Sequence, residues 1–251
     1  MIKVLLVGYG KMGKIIKDNL GYIYGQAVKI IDNNIPEYNT PLVDLNSQEI
    51  DVAIEFTHPS SGYQNVRELL KRKIPVVTGT TGWFHKIDDL KQEFNPEEHT
   101  LIYGANFSIG MNLFFEIVKN TTNLINQTSF YDVYGLENHH RKKADAPSGT
   151  AKELADIIIK NLDGKEKAVY NLNNQALEAD QLCFSSIRSG NTIGYHEIGF
   201  DSLFDEIKLI HNAKNRNGFA MGAILAAKYA LNHKGFFNIK DIFKEVLINK
   251  K

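Results

Sequence analysis

Apolar positions fall into two regimes along this chain. Up to about residue 105 they form short continuous runs: Ile2-Lys3-Val4-Leu5-Leu6-Val7, Ala27-Val28-Lys29-Ile30-Ile31, Asp51-Val52-Ala53-Ile54-Glu55-Phe56, Pro75-Val76-Val77-Thr78 and Thr100-Leu101-Ile102-Tyr103. Helical stretches separate most of them, to about Leu20, from Ser60 to about Lys73, and from Trp83 to about Phe94. Runs that are apolar almost throughout read as strands covered on both faces. Their alternation with helices predicts a doubly wound parallel sheet, with ligands at the carboxyl ends of the strands.

After about residue 108 the period changes. Gly110 to Leu124 predicts a helix, and Ser129 to Asn138 a strand with aromatic and polar residues interleaved. A further helix starts near Ala151, followed by strand-like pieces at 181–188, 193–200 and 205–212. The mixed polarity of the last piece suits an antiparallel strand with one covered face. Helical runs at 216–232 and 239–248 close the chain. The expected fold class is α/β: a Rossmann-type doubly wound parallel sheet plus a second α+β domain with a mixed or antiparallel sheet. The first domain is expected to take residues 1–107 and 215–251, and the second 108–214.

A chain of 251 residues can bury two modest cores. Lys plus Arg (29) equals Asp plus Glu (29), which argues against nucleic acid as the main partner. Cys183 is the only cysteine, so no disulfide forms within the chain and a reducing cytoplasm fits. It is expected as a small core residue. No run approaches the roughly 20 apolar residues of a membrane span, and the chain begins on a strand without the features of a signal peptide.

Two motifs carry chemistry. Gly8-Tyr9-Gly10-Lys11-Met12-Gly13 joins the first strand to a helix, and Asp32 ends the second strand. This is the dinucleotide fingerprint in its required context: one glycine for the turn, one for close approach of the pyrophosphate, one for helix–strand packing, and an acid for the ribose hydroxyls. The loops Phe56-Thr57-His58-Pro59, Gly79-Thr80-Thr81-Gly82 and Ala105-Asn106-Phe107 leave other strand ends and are expected to wall the nicotinamide pocket. His58 is read as a turn residue.

The second motif, Glu137-Asn138-His139-His140-Arg141-Lys142-Lys143-Ala144-Asp145-Ala146-Pro147-Ser148-Gly149-Thr150, runs into the helix that follows. Ser148 or Thr150 can cap that helix. Helix amides beside cations make an anion site, and histidines add proton transfer near neutral pH. Arg141 and Lys142 also suit a solvated surface, and Asp145 is expected to pair with a nearby cation. Pro147 reads as a first-turn helix residue. Glu137 either orients a histidine or is exposed. No metal is expected, because neighbours on a strand point to opposite faces and no further Cys or His pair completes a ligand set.

The sequence resembles the 4-hydroxy-tetrahydrodipicolinate reductase family. Residues 137 to 151 carry its signature, Glu-x-His-His-Arg-x-Lys-x-Asp-Ala-Pro-Ser-Gly-Thr-Ala, and the likeness extends to Phe56-Thr57, Gly79 to Gly82, Ala105 to Gly110, Arg188-x-Gly190, Gly194-x-His196, His211 and Phe219-Ala220. The resemblance implies NADH or NADPH as cofactor, a cyclic dicarboxylate substrate, a homotetramer and a place in the diaminopimelate route to lysine. It makes His139 the acid–base residue and Lys143 its electrostatic partner. His140, Ser148, Gly149 and Thr150 become substrate contacts. Arg188 and His196 are read as supports of the loop that reach substrate only secondarily. The nucleotide loops and the 137–150 segment fall in different domains, so the two are expected to meet across a cleft.

One departure bears on the cofactor. Some members place an arginine directly after the acid of the second strand, where this chain has Asp32-Asn33-Asn34. With no cation directly after the acid to offset the carboxylate against a 2′-phosphate, and only Lys11 able to reach one, NADH is expected to serve at least as well as NADPH. Another two-domain nicotinamide oxidoreductase would share residues 1–105 but has no reason for the 137–150 motif. A nucleotide-binding sensor without activity would show gaps at His139 or Lys143, and both are filled.

Overall fold

The computed structural model describes residues 1–248 and divides into two compact units, Met1–Ile109 with the chain from Arg216 onward, and Gly110–Asn215. In chain order the elements of the first part are β1 (Ile2–Val7), α1 (Lys11–Asn19), β2 (Gly25–Ile31), β3 (Val52–Glu55), α2 (Pro59–Lys71), β4 (Val76–Thr78), α3 (Ile87–Glu93) and β5 (Thr100–Tyr103). Then come α4 (Ile109–Ile125), β6 (Asp132–His139), α5 (Gly149–Asn161), β7 (Lys167–Val169), β8 (Gln181–Arg188), β9 (Tyr195–Asp201) and β10 (Glu206–Asn212). The chain returns through α6 (Asn217–Ala230), β11 (Gly235–Asn238) and α7 (Ile239–Phe243) to the first unit.

The first unit is a six-stranded parallel sheet in the order β11-β5-β4-β3-β1-β2. Side-chain alternation along β1 splits its core in two. Val4 and Leu6 face a cluster with Ile16 of α1 and the alanines of α6, while Leu5 and Val7 face Val66, Leu69 and Leu70 of α2 and Leu90 of α3. Both faces are covered, which is why β1 is apolar almost throughout. The alanine-rich α6 lies close beneath the sheet. At Gly222 a Cβ would stand 1.8 Å from the Phe107 carbonyl oxygen, so no side chain fits there.

The second unit has one mixed sheet, β10-β9-β6-β8-β7, with β9 antiparallel to β6 and β10, and β8 parallel to β6 and β7. Along β6 burial alternates, with Val133, Gly135, Glu137 and His139 on the buried face. This face packs on α4 and α5 through Phe114, Phe115, Leu154, Ile158, Phe184 and Phe200. Glu137 and His139 therefore sit where an apolar sheet face ends.

Several expectations change. β11 fills the gap between the two closing helical runs, and β7 adds a short strand before the piece at 181–188. The run from Trp83 becomes a 3₁₀ turn, Phe84–Lys86, before the short α3. The last helix is α7 alone, with a π turn over Lys244–Ile248. Cys183 is half-buried on β8, 3.8 Å from the Ser185 hydroxyl, and not in the core. Pro147 lies one residue ahead of the helix cap, after a cis peptide bond with Ala146, and not inside the first turn.

Candidate active site

The glycine turn of the first unit has the shape a pyrophosphate requires. Gly8 has φ +94°, and a Cβ there would fall 2.1 Å from the Phe56 carbonyl oxygen. A Cβ on Gly13 would fall 2.2 Å from the Gly8 carbonyl oxygen, whereas around Gly10 the space is open. The turn is packed at both ends and clear in the middle, at the N-terminus of α1, where amides and dipole favour an anion. A cavity of about 510 Å³ adjoins it, lined by Gly8, Gly10, Asp32, Asn34, Thr57 and His58 among others. Asp32 is held by backbone: Oδ2 accepts the Tyr9 N–H (2.7 Å) and Oδ1 the Asn34 N–H (2.9 Å). These features fit a dinucleotide.

The remaining expected cofactor residues divide. Lys11, Thr81 and Ala105 are exposed, and Gly79 is half-buried against the Phe56 ring. Met12 packs against the core and Phe107 is buried in it, so the Phe107 ring serves packing. The Asn106 Oδ1 accepts the Ser108 N–H at 2.9 Å. Tyr9 sets its ring edge-on to Tyr38, with the Lys14 and Lys17 ammonium groups 5.8 and 5.4 Å from its centre. His58 caps α2 through Nδ1, as a turn residue would, and also lines the cavity. Thr57 and Thr80 join a buried network around Glu55, a residue the sequence reading passed over as part of a strand.

In the second unit Glu137 is the centre. It is fully buried, and its Oε1 accepts the Ser148 N–H (2.9 Å), the Ser186 hydroxyl (2.8 Å) and the Arg188 guanidinium (2.8 Å). Its Oε2 lies 2.5 Å from His139 Nδ1. Burial alone would raise the Glu137 pKa; His139, Arg188, the Ser148 amide and the Ser186 hydroxyl together outweigh it and hold the carboxyl well below its usual range. Arg188 also donates to the Asp145 carbonyl at 2.5 Å, which pins the loop before α5.

Ser148 is the N-cap of α5, its hydroxyl accepting the Ala151 N–H at 3.1 Å. Its amide goes to Glu137, so both of its polar groups are engaged within the protein. Gly149 is exposed with open space around it, and Thr150 is half-buried, so the helix start is accessible at Gly149. Lys143 pairs with Asp145 through both carboxylate oxygens, at 2.8 and 2.9 Å, while Arg141 and Lys142 are exposed. His140 lies just past β6, its N–H on the Thr192 carbonyl at 2.7 Å.

His196 completes the cluster. Strand register places it opposite Glu137, and its ring is edge-on to His139 with centroids 5.2 Å apart. Ligand atoms of Glu137, His139 and His196 all lie within 4.8 Å of one another, a set that sequence spacing did not reveal. The Arg188 guanidinium on Glu137 disfavours a further cation there, and the arrangement reads as a carboxylate–imidazole pair backed by a second imidazole.

His196 is 4 % exposed, and among the described residues neither ring nitrogen has a hydrogen-bond partner. Burial, with the His139 charge beside it, pushes its pKa down to about 3. The folded state thus holds a neutral imidazole that the unfolded chain protonates below about pH 6.5. Stability is therefore lost as pH falls from 6.5 toward 3, by about 2 kcal/mol at pH 5. In His196→Gln the urea midpoint is expected to fall less between pH 7 and pH 5 than in the parent chain. An equal fall in both would contradict a neutral buried His196.

Residues 2–107 match the family described as dihydrodipicolinate reductase, N-terminus, and residues 110–243 that described as dihydrodipicolinate reductase, C-terminus. The 4-hydroxy-tetrahydrodipicolinate reductase of Christiangramia forsetii is 35 % identical over 248 residues, covering 99 % of this chain and 100 % of that protein. That of Alkaliphilus oremlandii is 34 % identical over 93 % of this chain and 94 % of its own length. Among solved structures, the dipicolinate-bound dihydrodipicolinate reductase of Paenisporosarcina sp. TG-14 superposes with a TM-score of 0.76 at 22 % identity, over 96 % of this chain and 99 % of that one. The NAD(H)-bound scyllo-inositol dehydrogenase of Lactobacillus casei reaches 0.57 at 12 % identity, over 97 % and 93 %. At these identities the structures show a shared fold.

Proposed function

The chain belongs to the dihydrodipicolinate reductase family, and from that premise we propose how its residues divide the reaction. It is an NAD(P)H-dependent oxidoreductase that reduces 4-hydroxy-tetrahydrodipicolinate to tetrahydrodipicolinate on the diaminopimelate route to lysine. When bound, the nicotinamide supplies the hydride. Residues 1–107 with 215–251 bind the dinucleotide, through the 8–13 turn, Asp32 and the loops at 56–57, 79–81 and 105–107. Residues 108–214 bind the substrate.

The 4-hydroxyl leaves as water, which gives a C=C conjugated to the ring C=N; hydride addition to this system displaces negative charge onto the ring nitrogen, and a proton must neutralise it. His139 donates that proton. The observation that carries this role is the fully buried, ionised Glu137 set 2.5 Å from His139 Nδ1, which leaves Nε2 as the working nitrogen. Space beside Nε2 is kept by Gly194, where a Cβ would come within 3.3 Å of it. Lys143 offsets the dicarboxylate charge, and the α5 start at Gly149 and Thr150 binds one carboxylate, with His140 as a further hydrogen-bonding group. Coupling the purified protein to the dihydrodipicolinate synthase reaction and following NADH absorbance tests the activity; no oxidation above background would overturn it.

NADH serves this chain at least as well as NADPH. The Asp32 carboxylate is fixed by two backbone N–H groups at the end of β2, with an asparagine pair following it and no arginine. Asp32→Ala is expected to shift the ratio of kcat/KM values toward NADPH by about tenfold or more, as removal of one repulsive charge implies. A strong NADPH preference in the parent chain would refute this reading.

The working form is a cytoplasmic homotetramer. Ile187 and Ile210 are exposed on the sheet face opposite the helices, which supports assembly through that face. Sedimentation equilibrium at the mass of one protomer would refute it.

A further inference from the structure

Glu55 ends β3 at the centre of the parallel sheet, between Val7 of β1 and Thr78 of β4. It is fully buried, and among the described residues no cation pairs with it. Burial pushes its pKa up, and the hydrogen bonds it accepts from the hydroxyls around it pull the other way and favour the carboxylate. What surrounds it is three hydroxyls. Thr57 and Thr80 donate to Oε1, the latter at 2.9 Å, and Thr78 donates to Oε2 at 2.5 Å. Two of these threonines leave the carboxyl ends of neighbouring strands, in loops read as walls of the cofactor site.

The network has a direction. A hydroxyl has one proton, and all three hydroxyls give theirs to Glu55. Their lone pairs are then free to accept from the loops. Thr80 Oγ1 accepts the Thr57 N–H at 2.8 Å, which ties the 56–58 loop to the 79–82 loop. Thr57 Oγ1 accepts from Asn65 of α2 at 3.2 Å, and Thr78 Oγ1 lies 3.4 Å from the Thr80 N–H. Only a centre that accepts at both oxygens orients all three hydroxyls inward. A glutamine would present an NH₂ on one side and force at least one hydroxyl to turn, removing an acceptor from a loop. Thr57, Asn65 and Phe56 line the 510 Å³ cavity directly above.

We propose that Glu55 is a positioning residue of the cofactor site: its carboxylate, through the hydroxyls of Thr57, Thr78 and Thr80, sets the loops at the ends of β3 and β4 in the conformation that binds the dinucleotide. Glu55 and Thr78 are both fully buried, so neither touches the cofactor itself. The inference rests on the first unit holding NADH, and binding by the parent chain checks that separately.

The test measures the Kd of NADH by fluorescence titration for the parent chain, Glu55→Gln, Thr78→Val and the double variant. Retained binding of pyridine-2,6-dicarboxylate, by calorimetry, reports that each variant is folded. Glu55→Gln is expected to weaken NADH about tenfold or more, and Thr78→Val several-fold. The double variant should be no weaker than Glu55→Gln alone, because both changes break one network. A Glu55→Gln protein that binds NADH within twofold of the parent overturns the proposal, as does a double variant whose loss is the product of the two single losses. Should Glu55→Gln fail to fold, Thr78→Val decides alone: parent-like NADH affinity in it overturns the proposal.

Discussion

Replacing His139 with alanine is expected to lower kcat by about 10²–10⁴-fold, the usual worth of a positioned proton donor, with the Kd of NADH unchanged. The unit that carries the glycine turn does not contain His139, so cofactor affinity is the internal control. His139 is 8 % exposed, and its removal leaves Glu137 with Arg188, Ser148 and Ser186, so the buried carboxylate keeps most of its partners. Lys143→Ala is expected to act more mildly, about tenfold to a hundredfold in kcat, since it removes a charge and no transferred proton. Stopped-flow single-turnover measurements would separate chemistry from product release. Near-wild-type turnover in His139→Ala would remove it as the donor; equal losses in the two variants would shift the role toward Lys143.

The first unit was legible because its signals are local. β1, the glycine turn, α1 and the acid at position 32 lie in one uninterrupted stretch, and each constrains the next. β11 was not legible. Its four residues, Gly-Phe-Phe-Asn, become a strand only through pairing with β5, far away in sequence. In the second unit the 137–150 stretch announced itself by composition, but its energetic centre did not. Glu137 stood between two readings until register resolved it: β6 lies between β8 and β9, which puts Arg188 beside His139 and His196 opposite Glu137. Periodicity shows which face a residue takes, and it does not show which residue of another strand stands opposite. Ser148 illustrates the same limit. Its place in the motif suggested a substrate contact as readily as a cap, and only the Ala151 and Glu137 contacts assign its groups. Glu55 escaped notice because its three threonines are spread over two loops and one strand.

Glu137 is where stability and chemistry are expected to separate. Glu137→Ala leaves the Arg188 guanidinium, the Ser148 amide and the Ser186 hydroxyl without their shared acceptor in a buried site. Breaking such a pair by removing one partner costs about 3–5 kcal/mol, a Tm fall on the order of 10 °C for a chain of this size. Glu137→Gln keeps the shape and one acceptor oxygen for these donors, so a smaller loss of stability is expected. It removes the negative charge beside His139 Nδ1, and kcat is expected to fall by about 10-fold or more with little change in the Kd of NADH. The acid limb gives an independent reading. Because the folded-state pKa of Glu137 is depressed, its contribution is fully present above the unfolded carboxyl value of about 4.3 and is lost as pH falls below it toward the folded value. Urea midpoints of Glu137→Gln should therefore change less than those of the parent chain from pH 4.5 downward. A Glu137→Gln enzyme with parental kcat would mean that His139 works without the carboxylate, and the buried pair would then be structural only. A variant with reduced kcat and a parental acid limb would mean the opposite: the charge serves the reaction, and the fold draws nothing from its ionisation.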